Sequence, residues 1–148
     1  MAEPPEPIAP IDGTGASRDA RLLILAHGGT WDRRFQISSL AASAASAGRA
    51  VDVALFFAAL RSWVGGHWDA LDPEPPLGAA RLQELGMPPL TTMLAAGRSQ
   101  GLIRLYACSA SMRLNALDPG ATQDAVDAIL GWQSFSRMIE RAQSVVTL

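Results

Sequence analysis

The chain has 148 residues and a formal net charge of −2, with 49% hydrophobic and 18% charged residues. That length suits one domain, and that apolar fraction can bury a core, which excludes a globally disordered chain. A near-neutral charge argues against electrostatic capture of nucleic acid or an anionic membrane, and the twelve basic residues, all arginine, exclude a lysine nucleophile, a Schiff base and a P-loop lysine.

Residues 1–19 read as an acidic, Pro-rich, flexible lead-in, since Glu3–Pro7 are all acids or prolines. They lack the basic start and apolar core of a signal peptide. The folded domain is expected over 20–148. Arg21–Ala26 is a short apolar run stopped by His27-Gly28-Gly29, the pattern of a strand buried on both faces. A helix follows to Gly48, with Thr30 or Asp32 as its cap and Phe35, Leu40, Ala44 and Ala47 as its apolar face. Ala50–Phe56 predicts a second strand, and Ala58–Val64 a short helix stopped by Gly65-Gly66. His67–Pro76 reads as irregular because of its prolines. Short helices are predicted over Leu77–Leu85 and, opened by Pro89, over Leu90–Gln100.

Leu102–Ala107 predicts a third strand ending at Cys108, with Ser109–Leu114 helical after it. Leu117-Asp118-Pro119-Gly120 reads as a turn, and Val126–Trp132 as a fourth strand weakened by Asp127. Ser134–Ala142 predicts a helix with Phe135, Met138 and Ile139 inward, and Val145–Leu148 a fifth strand. Strands alternating with helices predict an α/β fold, a three-layer α/β/α sandwich around a mainly parallel five-stranded sheet. In such a sheet the C-terminal strand ends share one edge, where ligands usually bind. His27, Phe57, Cys108 and Trp132 all follow predicted strand ends.

Cys108 is the one cysteine, so no intrachain disulfide can form. At a strand-to-helix junction its thiolate would meet the positive end of a helix dipole and backbone N–H groups. Arg113 would add charge, and Ser109 and Ser111 hydroxyl donors. Two readings stand: a reactive thiol, or a small buried hydrophobe. His27 is the candidate base if the first and third strands lie close together, and otherwise a structural histidine. His67 reads as exposed. One cysteine and two histidines offer no metal-ligand spacing, and no Gly-x-Gly-x-x-Gly follows a strand, so neither a metal nor a cofactor is expected. Four tryptophans in a chain this size suggest subunit contacts or pocket walls, with Trp132 a candidate for the latter. The longest apolar run, Ala54–Leu60, falls far below the roughly 18–20 residues that span a bilayer. A cytoplasmic protein is expected.

The segment Ala107-Cys108-Ser109-Ala110-Ser111-Met112 resembles the Ala-Cys-x-x-Ser-Met segment of DsrE/DsrF-like proteins, the superfamily of DsrE/TusD sulfur-relay proteins, in its peroxiredoxin-like branch. Arg21–Ala26 with the helix through Gly48, Val53–Phe57, and the ending from Val126 to Leu148 agree in order and spacing, so the likeness covers about residues 21–148. The resemblance implies an α/β/α domain assembling as a homotrimer or homohexamer. It implies a sulfur carrier, or sulfurtransferase, that holds sulfane sulfur as a persulfide on Cys108. Protein donor and acceptor thiols would be its partners. His27-Gly28-Gly29-Thr30-Trp31 and the connector from Gly65 to Pro76 depart from the family pattern. A non-catalytic oligomeric module that binds a small ligand, and a thiol redox sensor, are the competing expectations.

Overall fold

The computed structural model describes residues 20–74 and 78–148. The lead-in predicted over 1–19 lies outside the described residues, as do the connector's last two prolines. Five strands form one sheet: β1 (Leu22–Ala26), β2 (Val51–Leu55), β3 (Ile103–Cys108), β4 (Ala128–Leu130) and β5 (Ser144–Thr147). Their order is β4-β3-β2-β1-β5, and every pairing is parallel.

This order dictates the layers. From β1 through β4 each crossover steps in the same direction, so right-handed connections place their helices on one face. Those helices are α1 (Trp31–Ser46), α2 (Phe57–Val64), α3 (Ala79–Glu84), α4 (Leu90–Ser99), α5 (Ser109–Leu114) and α6 (Pro119–Ala125). The return from β4 to β5 runs the opposite way, which sends α7 (Trp132–Arg141) to the other face. The protein is thus a three-layer α/β/α sandwich. Alternation along the strands divides the core accordingly. Ile24, Val53, Leu55 and Leu105 pack with residues of α1 to α6, whereas Leu23, Ala54, Phe56, Tyr106 and Cys108 gather around Phe135 of α7.

Several local readings differ from the structure, among them the fourth strand, which covers only Ala128–Leu130 while Trp132 opens α7. The buried stripe of α1 is Trp31, Arg34, Ile37, Ser38, Ala41 and Ala45. Phe35, Leu40 and Ala44 lie on its flanks, half-buried. The inward face carries an arginine, so hydrophobicity alone misplaces it. Leu117–Gly120 is no simple turn, because Asp118 caps α6 through Ala121 N–H (2.8 Å) and Pro119 opens that helix. Ile139 is 41% exposed, since the inward stripe of α7 runs through Phe135, Met138 and Ala142.

The connector after α2 is irregular, yet firmly held. Arg34, buried inside α1, donates to the carbonyls of His67, Trp68 (2.7 Å) and Ala70 (2.7 Å) and to Asp72 (3.0 Å). Asp72 also accepts the Trp31 N–H at the start of α1 (2.6 Å). Asp69 does the same for α4, accepting the Thr91 N–H at 3.1 Å. Each connector aspartate therefore satisfies orphan donors at one helix start. Trp68 is buried against α1, its indole N–H on Ser38 Oγ at 2.9 Å.

Candidate functional site

The parallel sheet puts every strand's C-terminal end on one edge. Across that edge the chain presents Trp132, Cys108, Phe57, His27 and Leu148 in that order, following β4, β3, β2, β1 and β5. The four residues expected after strand ends do share one edge.

Cys108 ends β3 and serves as the N-cap of α5, its Sγ accepting the Ser111 N–H at 3.5 Å. Its side chain points to the α7 face, among Leu23, Ala54, Phe56, Tyr106 and Phe135, and is 0% exposed. Trp132 stacks on Phe56 with ring centroids 5.0 Å apart, and meets Phe135 edge-on at 6.2 Å. Because β3 lies between β4 and β2, an indole that reaches Phe56 from the end of β4 crosses the end of β3. Phe56 and Phe135 share a cluster with the thiol, and Trp132, set against both, completes an aromatic roof at this end of the sheet. The outer ring, Trp132, is 58% exposed.

The other predicted site residues are placed unevenly. His27 is exposed, its N–H on the carbonyl of Leu148 and its own carbonyl accepting from Ala59. β2 separates β1 from β3, which sets His27 about 10 Å from Cys108 at two strand spacings. No hydrogen bond joins the imidazole to the thiol, so the condition for a His27 base is not met. Ser111 is buried beside Cys108, and its hydroxyl has no partner among the described residues. Ser109 is half-buried next to Gly131. Arg113 points outward on α5 and makes no ion pair with a described residue. Gly29 allows a close approach, since a Cβ there would sit 2.6 Å from Ala58 Cβ and 3.0 Å from its backbone.

Sequence reasoning missed the aromatic roof, because Phe56 and Phe135 look like ordinary core residues in one dimension. It also missed a polar cluster on the same face. Asp52, buried on β2, takes Arg21 Nη1 on both oxygens at 2.9 and 3.0 Å. Burial pushes its carboxyl above the usual 3.8, against the pull of Arg21 and Arg104. Tyr106, two residues before Cys108 on the same face of β3, has its phenol pushed up to about 12, by burial first and then by the Asp52 charge.

A cavity of about 170 Å³ opens on the other helical layer, lined mainly by Trp31, Phe35, Leu71, Met87, Leu90 and Met93. Among the described residues no cluster of His, Cys, Asp or Glu is placed to hold a metal ion, and no helix is long and apolar enough to cross a membrane. A scan against protein-family models finds no match for the chain, and a search of curated proteins finds none either.

Proposed function

We propose that the protein is a sulfur carrier of the DsrE/DsrF-like kind, holding sulfane sulfur as a persulfide on Cys108. The observation that carries this reading is the seat of Cys108: the end of a central strand, at the edge where parallel sheets usually take ligands, with a backbone N–H on its sulfur. That donor can serve the thiolate and, after loading, the inner sulfur of a persulfide. The aromatic roof would keep water and stray thiols from a stored sulfur.

The exchange is redox-neutral. The Cys108 thiolate attacks the outer sulfur of a donor R–S–SH. A new S–S bond forms on Sγ, the donor's S–S bond breaks, and the donor leaves as R–S⁻, which takes up the proton Cys108 gave up. Unloading reverses these events, with an acceptor thiolate attacking the outer sulfur. Since the chain has one cysteine, both thiols come from outside it, with partner proteins as the proposed donor and acceptor. For a 0% exposed thiol the roof must open, and Trp132 is the ring free to swing. A cytoplasmic homotrimer or homohexamer belongs to the same proposal.

The test is intact-mass spectrometry after incubation with glutathione persulfide. The expected gain is the mass of one sulfur atom, on Cys108, absent from Cys108→Ser. An unchanged mass overturns the carrier. The complete burial of Cys108 favours a second reading, a non-catalytic module that binds a small apolar ligand in the cleft beside Trp31 and Phe35. In that case the thiol resists both persulfide and peroxide. A thiol that answers only to peroxide marks a redox sensor.

A further inference from the structure

Phe57 opens α2 with φ at +42°, in the left-handed region that bulky residues avoid. Its ring gains little from this, being 49% exposed. A glycine would make the same turn without strain. The other described non-glycine residue with positive φ, Ala116 (φ +50°), lies at the same corner. Asn115 joins the two, its side-chain amide donating to the carbonyls of Phe57 (3.3 Å) and Ser111 (2.8 Å). Strain held beside an exposed aromatic ring points to a function rather than to folding.

The surroundings say what kind. Arg61 lies one turn after Phe57 on the same side of α2, and is exposed. Arg113 and Leu114 project from the end of α5, which packs against α2, and Leu114 is 76% exposed. Neither arginine makes an ion pair with a described residue. The acids of α6, Asp118 and Asp124, lie on a helix that also packs against α2, but neither pairs with either arginine, and Asp118 accepts the cap N–H of Ala121. Two free cations thus flank two exposed apolar side chains, about 9 Å along α5 from Cys108.

We propose that this α2–α5 corner docks an acidic segment with an apolar centre, carried by the protein that exchanges sulfur with Cys108. The positive rim selects and steers the partner, and Phe57 and Leu114 anchor it. The partner's role rests on the carrier reading, but the docking is measured without sulfur chemistry.

The probe is a fluorescein-labelled peptide, Glu-Glu-Leu-Phe-Ser-Leu-Glu-Glu, compared by anisotropy with its counterpart in which lysine replaces glutamate. The full-length protein should bind the acidic peptide saturably, more weakly as salt rises, and the basic one about tenfold less tightly. Phe57→Gly should weaken the acidic peptide about tenfold without lowering the melting temperature. The double variant Arg61→Glu, Arg113→Glu should invert the preference. Cys108→Ser should bind as the parent does. No saturable binding of the acidic peptide, equal binding of both, or indifference to both sets of substitutions overturns the docking surface. A protein that binds the peptide but gains no sulfur overturns the carrier alone.

Discussion

The two faces of the sheet are clothed unequally. Residues from α1 to α6 all contribute to the cluster on one face, while the other is covered mainly by α7, with Ala110 of α5 at its margin. Nearly everything with reactive chemistry sits on the thin side: Cys108, Tyr106, and Asp52 with Arg21. The thick side holds branched aliphatics and Arg34, the one buried arginine among the described residues, which ties the connector down. A single covering helix leaves a route for a side chain to move at the edge near Cys108, whereas the opening in the six-helix layer lies away from it, beside Trp31 and Phe35. The difference separates a face that stabilises from a face that can act.

The comparison breaks first at Arg34. Removing it by Arg34→Met strands three carbonyls and the Asp72 carboxylate. Losing one partner of a buried ion pair costs about 3–5 kcal/mol. Urea denaturation should show a loss of that size, and a loss under about 1 kcal/mol would mean the connector holds itself. On the thin face the largest effect is a titration. Tyr106 is the one tyrosine in the chain, so phenolate absorbance reads it alone. Ionisation should occur about pH 12, above the ordinary 10.0. Because the folded state holds that proton longer, stability should fall as pH rises from the unfolded value to the folded one. A phenol that ionises at its ordinary value would show the thin face to be open to water.

Trp132 sharpens the same contrast at the edge. Trp132→Ala removes a ring that is more than half exposed, so unfolding should shift by about 1 kcal/mol or less. Iodoacetamide should nevertheless alkylate Cys108 about tenfold faster, a change of about 1.4 kcal/mol in the opening that admits reagent. An unchanged rate means that access runs elsewhere and Trp132 is no gate.

Much of the thick face was legible in the sequence. The runs Arg21–Ala26, Ala50–Phe56 and Leu102–Ala107 are continuous and bounded, as strands buried on both faces must be, and they fixed the architecture. The shared edge of strand ends followed from parallel pairing. What escaped depended on strand order. His27 as a base for Cys108 required β1 beside β3, and nothing in a linear chain shows that β2 comes between. The roof escaped for the same reason, because Phe56, Trp132 and Phe135 meet only through the sheet. Arg34 escaped because three of its partners are carbonyls, which carry no residue-type signal, and the fourth, Asp72, lies 38 residues away. The strain at Phe57 is a backbone property that its side chain argues against.

The smallest expected effect is at Asp52, and its sign is the most informative. A paired carboxylate usually has its pKa drawn down, but here burial outweighs Arg21 and raises it above 3.8. The folded state therefore binds this proton more tightly than the unfolded chain does. The stability linked to it is fully present below pH 3.8 and is lost as pH rises through the folded value. Asp52→Asn keeps an oxygen that can accept from Arg21 and stays neutral at every pH. Its stability at neutral pH should equal the parent's or exceed it by up to about 1 kcal/mol, and its decline across the acid range should flatten. A marked loss at neutral pH would mean that the Arg21 attraction wins. The ion pair would then stabilise the thin face, and the division of labour between the two faces would be weaker than their coverage suggests.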